Sequence, residues 1–214
     1  MKPALLIALA FILGSIPCGV IIAKVKGVDL KKIGSGNIGA TNVLRSLGKC
    51  AALLTLLGDV LKGTAAVAIA RAFVSDPGFY ASESGAGILQ SVVSNPRAAI
   101  EGLAGLSAIL GHNFSLFLRF RGGKGVATSL GVLVIYSPQV AILTLIIWLV
   151  IALITKYSSL GAIVSFGLLP VNVFLFDPVR IKVLISAMIA LLILVRHIGN
   201  IERLIKGAER KIGE

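Results

Sequence analysis

The chain has 214 residues, 57% of them hydrophobic and 14% charged, with a mean hydropathy of +0.98. An ordinary soluble domain carries about a quarter charged residues, so this composition excludes one and points to a single compact helical membrane domain over 1–214, each crossing taking about 20 residues. Lys and Arg total 21 against 9 Asp and Glu, a net charge of +12; in a membrane chain that excess holds the cytoplasmic leaflet and attracts anionic substrates, and no nucleic-acid partner is expected.

Apolar segments fall at about 4–24, 51–73, 98–118, 126–137, 139–155, 159–176 and 180–195. The first is too long for the apolar region of a signal peptide and is interrupted by Gly-Ser-Ile-Pro-Cys, so it reads as a retained span. Segment 126–137 is short for a full crossing. Pro138 can start a new helix after it, and the alternative is one long kinked helix from 125 to 155. Charge separates the two. With seven crossings, fifteen of the 21 basic residues fall on one side: Lys24, Lys26, Lys31, Lys32, Arg45, Lys49, Arg119, Arg121, Lys124, Lys156, Arg196, Arg203, Lys206, Arg210 and Lys211. The other side receives Lys2, Arg71, Arg97, Arg180 and Lys182 with four acidic residues. The expected fold is therefore an all-α polytopic membrane protein with seven transmembrane helices, N-terminus outside and C-terminus cytoplasmic, with short interfacial helices and glycine-rich loops on the cytoplasmic face. Cys18 and Cys50 offer no disulfide framework or metal spacing and read as packing thiols; no metal or cofactor is expected.

In chain order, the first polar stretch is "GSGNIGATN" at 34–42, which fits Gly-x-Gly-x-x-Gly. A dinucleotide site needs that loop between a strand and a helix. Here the charged "KVKGVDLKKI" precedes it, and Asp59, at the expected distance for the acidic partner, lies in the next apolar helix. What remains is a loop rich in backbone donors: Gly34, Gly36 and Gly39 permit close approach, and Ser35, Asn37, Thr41 and Asn42 add short polar groups. It is either a phosphate cradle or a tight connection with helix caps. Arg45 can close a bidentate clamp on a phosphoryl group, or serve only as an inside charge. In "GDVLKG" at 58–63, Asp59 and Lys62 stand at i and i+3, suited to a buried pair or to supporting the glycine loop.

The segment 74–96 falls outside and shows little sign of chemistry. "GHNFSLFLRFRGGKGVAT" at 111–128 shows more. Gly122, Gly123, Lys124 and Gly125 precede a helix start, with Thr128 one turn on, and His112 and Asn113 close the preceding span. There is no P-loop register, yet glycine amides at a helix start beside a cation suit a phosphate; the plainer reading is a helix start with snorkelling charges. His112 can be a base or a hydrogen-bonded helix-end residue. Phe114, Phe117 and Phe120 pack against lipid or neighbouring helices, or border an acyl chain. The last stretch, "RHIGNIERLIKGAERK" at 196–211, is an amphipathic interfacial segment on which His197 and Asn200 face one side and Arg203 extends it. A basic tail on anionic lipid is the alternative, with Glu209 pairing locally.

The sequence holds no GxSxG, no HExxH, no cysteine–histidine pair and no glycosidase-type carboxylate pair, so covalent catalysis and metal hydrolysis are disfavoured. Glycine beside a cation recurs three times on the inside face, which favours phosphate-bearing substrates near lipid. Together, "GSGNIGATNVLRSLGK" with "GDVLKG", "GHNFSLFLRFRGGKGVAT" and "RHIGNIERLIKGAE" resemble the bacterial membrane glycerol-3-phosphate acyltransferase family that uses acyl-phosphate as donor, over nearly the whole chain. The departures are Ser115, where proline is expected, and a longer outside segment.

The resemblance implies transfer of an acyl group from acyl-phosphate to the 1-hydroxyl of glycerol-3-phosphate, giving lysophosphatidic acid and phosphate. It implies a protein of the bacterial inner membrane, in contact with membrane lipids, its active site facing the cytoplasm; it is compatible with a monomer without fixing the oligomeric state. It places Ser35 and Arg45 near glycerol phosphate, the glycines around Lys124 at the acyl-phosphate, and His197 and Asn200 in the same cleft. The donor is already activated, so orientation and charge control suffice. The proton goes to His197 or, the preferred route, to a phosphate oxygen of the donor. The rival readings are a transporter of phosphorylated or lipid substrates, which calls for polar groups at mid-membrane or repeated halves, and a lipid-anchoring scaffold.

Overall fold

A computed structural model describes residues 3–74 and 95–213, and every regular element among them is helical. The segment expected outside at 74–96 lies almost wholly beyond the described residues. Helices α1 (Pro3–Ser15) and α2 (Cys18–Val25) form one apolar stretch broken at Ile16 and Pro17, where proline removes a donor and bars the preceding residue from helical dihedrals. A 3₁₀ turn (Leu30–Lys32) and the glycine loop lead to α3 (Ala40–Leu47) and α4 (Lys49–Val74). After them come α5 (Pro96–Asn113), α6 (Val126–Tyr136), α7 (Pro138–Thr155), α8 (Ser158–Gly167), α9 (Leu169–Phe176), α10 (Arg180–Arg196) and α11 (Ile198–Ile205).

All seven apolar segments of the sequence are thus helical. The chain breaks at Ser137, φ −155° and ψ 81°, and Pro138 opens α7; there is no single kinked helix across 125–155. Pro3–Val25, Lys49–Val74 and Pro138–Thr155 are long and apolar enough to cross a membrane, and the bent pairs α8 with α9 (44°) and α10 with α11 (57°) raise the number to five among the described residues. The fold is an all-α polytopic membrane architecture.

Packing follows the rule for helices that share a lipid solvent, where small residues let backbones approach. A Cβ on Gly14 of α1 would strike the Ala108 backbone of α5, and one on Gly111 would strike Phe11. Gly63 and Gly131 bring α4 and α6 together in the same way, against Thr128 and Val60. Behind them lies an aliphatic core that includes Val67, Ile109, Val132, Leu133, Phe166, Leu169, Ile185 and Ile189. The outward faces carry Leu5, Leu61, Ile142, Ile154, Phe174 and Leu191, all exposed, a surface that only lipid can solvate.

Candidate active site

A single side chain organises the glycine loop. Asn42, buried in the first turn of α3, donates its Nδ2 to the carbonyls of Asn37 (2.8 Å), Ile33 (3.1 Å) and Leu30 (3.4 Å), and its Oδ1 accepts the Ser35 amide at 2.9 Å. Gly34 and Gly36 take φ of +64° and +68°, which lets the chain fold round that amide. One turn on, Arg45 donates from Nη2 to the carbonyls of Arg210 (3.0 Å) and Lys211 (2.8 Å), tying the C-terminal tail over the loop.

The second glycine segment is closed by main-chain bonds. The amides of Gly122 and Gly123 donate to the carbonyls of Asn113 (3.1 Å) and His112 (3.0 Å). Their own carbonyls accept from the Arg196 guanidinium, Gly122 at 3.2 Å and Gly123 at 2.9 and 3.1 Å. These two amides therefore shape the loop and do not face an anion, unlike the expectation from sequence. The groups that remain are the Lys124 side chain and the first-turn amides of α6, which Gly125 opens at φ +85°. Beneath them, buried Asp59 lies 2.8 Å from Lys62 Nζ and 3.5 Å from His112 Nδ1, and Lys62 also donates to the Ile16 carbonyl at 2.8 Å, at the break between α1 and α2. The i, i+3 pair expected from sequence is formed.

The third segment meets the other two through a carboxylate. Glu209 Oε1 accepts from Asn200 Nδ2 (2.6 Å) and Ser159 Oγ (2.7 Å), and Oε2 accepts from Arg203 Nε (2.7 Å). Asn200 Oδ1 in turn accepts from Lys124 Nζ. Burial pushes the Lys124 ammonium down to about 8, partly opposed by the Glu209 charge. Burial pushes the Glu209 carboxyl up, but the donors Ser159, Asn200 and Arg203 outweigh it and hold the group below its ordinary range. His197 is buried, with Nδ1 2.8 Å from the Ile193 carbonyl. A carbonyl only accepts, so Nδ1 carries the hydrogen and Nε2 the lone pair. Burial, then the Lys124 charge, pushes His197 down to about 4, so the ring is neutral at neutral pH.

Together these groups line a cleft of about 700 Å³. Arg45, Lys124, Arg203 and Arg210 line its polar end against Glu209 and the Lys62-paired Asp59, a positive balance suited to phosphate. Its other end is apolar, walled by Leu53, Leu56 and Leu57 of α4, Leu130 of α6, Leu145 and Trp148 of α7 and Phe166 of α8.

A family model described as glycerol-3-phosphate acyltransferase matches residues 4–207. The chain belongs to the glycerol-3-phosphate acyltransferase family. A curated relative of that name from Mesorhizobium japonicum is 43% identical over 216 residues, covering 100% of this chain and 98% of the relative. One from Neisseria gonorrhoeae is 44% identical over 209 residues, covering 97% and 96%. The crystal structure of PlsY (YgiH), an integral membrane glycerol 3-phosphate acyltransferase, superposes in its glycerol 3-phosphate form with a TM-score of 0.84 at 37% identity, covering 99% of this chain and 96% of that one. Its lysophosphatidic acid form gives 0.82 at 36%, covering 99% and 95%.

In this acyltransferase chain Gly34, Ser35, Asn37, Gly39, Thr41, Asn42, Arg45, His112, Lys124, Gly125, His197, Asn200 and Arg203 all line the cleft. Gly36, Asn113, Gly122, Gly123 and Thr128 do not: Gly36 turns the loop, Gly122 and Gly123 hold Arg196, and Asn113 and Thr128 are fully buried behind Gly125 and against Gly63. Sequence reasoning missed Ser158, whose Oγ is 3.3 Å from Thr41 Oγ1, Ser159, and the central part of Glu209. Two signals were available: adjacent serines just after inside Lys156, and the lone carboxylate in the basic "KGAERK".

Proposed function

We propose that this protein transfers an acyl group from acyl-phosphate to the 1-hydroxyl of glycerol-3-phosphate, with the cleft open to the cytoplasm, in a single domain of seven crossings whose N-terminus is outside and C-terminus cytoplasmic. One observation carries the reading: a single cleft joins a cationic, amide-lined end to an apolar end reached from the lipid-facing flank, which suits a substrate that is phosphate at one end and hydrocarbon at the other. Uneven distribution of Lys and Arg supports the orientation.

Arg45, Ser35 and the amides around Gly34 and Asn37 hold the glycerol phosphate, with Asn42 fixing that loop and Thr41, bonded to Ser158, lining the same end. Lys124 and the α6 amides after Gly125 hold the phosphoryl group of the donor. The acceptor hydroxyl attacks the acyl carbon, a new C–O bond forms and the C–O bond to phosphate breaks. Ser35 and nearby donors stabilise the oxyanion between those two events, and departing phosphate takes the hydroxyl proton. His197, its conjugate acid at about 4, is too weak a base to remove that proton; Nε2 accepts a hydrogen bond that orients the hydroxyl.

The test is phosphate release from palmitoyl-phosphate by purified protein in lipid, with and without glycerol-3-phosphate, alongside lysophosphatidic acid. Stoichiometric, acceptor-dependent appearance of both, lost in folded Lys124→Ala, is the expected result. Absence of acceptor-dependent product from a folded sample defeats the donor assignment.

A further inference from the structure

The apolar end of the cleft has a floor and a side door. Its apolar lining includes the buried Thr144 and Phe166 and the half-buried Val60 and Leu130. Phe166 is 2% exposed and sits in the aliphatic core; Thr144 is 1% exposed, and its hydroxyl has no hydrogen-bond partner among the described residues. By contrast, Leu53, Leu56, Leu57 and Leu145, which flank the same space, are 38–55% exposed. Helix α4 packs on α1, α2, α3, α5 and α6, whereas α7 packs on α6, α8 and α9. The cleft therefore opens toward the bilayer between α4 and α7.

Depth sets how much chain fits. Phe166 stands about two turns below Ser159 on α8, and Leu130 less than two turns below Gly125 on α6, so the floor lies roughly 8–10 Å from the phosphate end. An extended hydrocarbon covers that distance with about seven carbons.

We infer that the enzyme encloses only the carboxyl-proximal part of the acyl chain and passes the rest into the bilayer between α4 and α7, with Phe166, Leu130 and Thr144 setting the enclosed length. This rests on the acyl-transfer reading. The protein then discriminates against bulk near the carboxyl group and is indifferent to bulk at the distant end. Length beyond the enclosed carbons enters only through partition into lipid.

Three acyl-phosphates test it in protein reconstituted into phosphatidylcholine nanodiscs: palmitoyl, 12-(1-pyrenyl)dodecanoyl and 4-(1-pyrenyl)butanoyl, compared at equal mole fraction in the bilayer. The pyrene of the long probe lies beyond the floor distance and should leave kcat/KM within about threefold of palmitoyl; the short probe places it against Phe166 and should lose tenfold or more, about the discrimination a shaped apolar pocket achieves. Phe166→Ala should restore at least about threefold toward the short probe alone, and Leu130→Ala serves if that variant does not fold. Rejection of both pyrenes overturns the side door, and acceptance of both overturns the floor. Failure to use palmitoyl-phosphate at all strikes instead at the acyltransferase reading.

Discussion

Two residues of the cleft have protonation states that make opposite demands. In the proposed mechanism Lys124 acts as a cation, so its work is lost as pH rises through about 8, and kcat/KM, which reports the free enzyme, should bend downward there. Lys124→Arg retains charge at every accessible pH; whatever activity it keeps should lack that limb, and a limb that persists in the variant would assign it to another group. His197 is neutral across the working range because its pKa is depressed to about 4. His197→Gln preserves a hydrogen-bond acceptor and should keep kcat within about tenfold, whereas a general base would be worth about 10²–10⁴; a loss of that size, with a new pH dependence, would return the proton to histidine. The residues that carry these arguments were legible in sequence, because glycine, cation and amide side chains clustered on one face. What was not legible is direction. Gly122 and Gly123 looked like anion donors, yet their amides point back to His112 and Asn113, and only the fold shows which way a loop turns. Ser115, a departure from the family pattern, proves to be a buried link whose hydroxyl donates to the Ser15 carbonyl between α5 and α1.

At the scale of elements, the site depends on short helices pinned by single polar groups. Helix α11 and the tail behind it have few apolar contacts of their own, and a helix of eight residues is not stable by itself. Glu209 supplies the missing restraint by joining Asn200, Ser159 and Arg203, while Arg45 grips the next two carbonyls. Glu209→Ala should therefore free the tail before it alters the chemistry: trypsin should cut at Lys206, Arg210 or Lys211 at least about tenfold faster than in the parent, with activity lost in parallel, since each charged hydrogen bond here contributes about 1.5–3 kcal/mol. Unchanged cleavage together with lost activity would make Glu209 a participant in catalysis. Asn42 plays the matching part for the glycine loop. Asn42→Ala removes the bonds that shape 33–37 and should raise KM for glycerol-3-phosphate more than it lowers kcat, read from initial rates at varied acceptor. The helices themselves followed from apolar periodicity and the proline at 138; the contacts that pin them join residues far apart in sequence, such as Ser159 to Glu209, and no local pattern announces those.

For the whole molecule, the open point is helix α6. Its 11 residues span roughly 16 Å, against a hydrocarbon core of about 30 Å. A short helix leaves its N-terminus below the membrane surface, which suits the proposed meeting of Lys124 and the first-turn amides with the donor's phosphoryl group between lipid and water. If α6 completes a crossing with the loops at its ends, five crossings separate Cys50 from Arg180, and the two lie on opposite sides. If α6 only dips and returns, four remain and the two share a side. Both positions are exposed, so native Cys50 and an Arg180→Cys substitution, made singly in a Cys18→Ser background, report directly. A membrane-impermeant maleimide should label Cys50 only in inverted vesicles and Arg180→Cys only in right-side-out ones, and Lys206→Cys in a Cys50→Ser protein should follow Cys50. Labelling of positions 50 and 180 from one side would remove α6 from the set of crossings, and with it the charge asymmetry on which the proposed cytoplasmic orientation of the cleft rests.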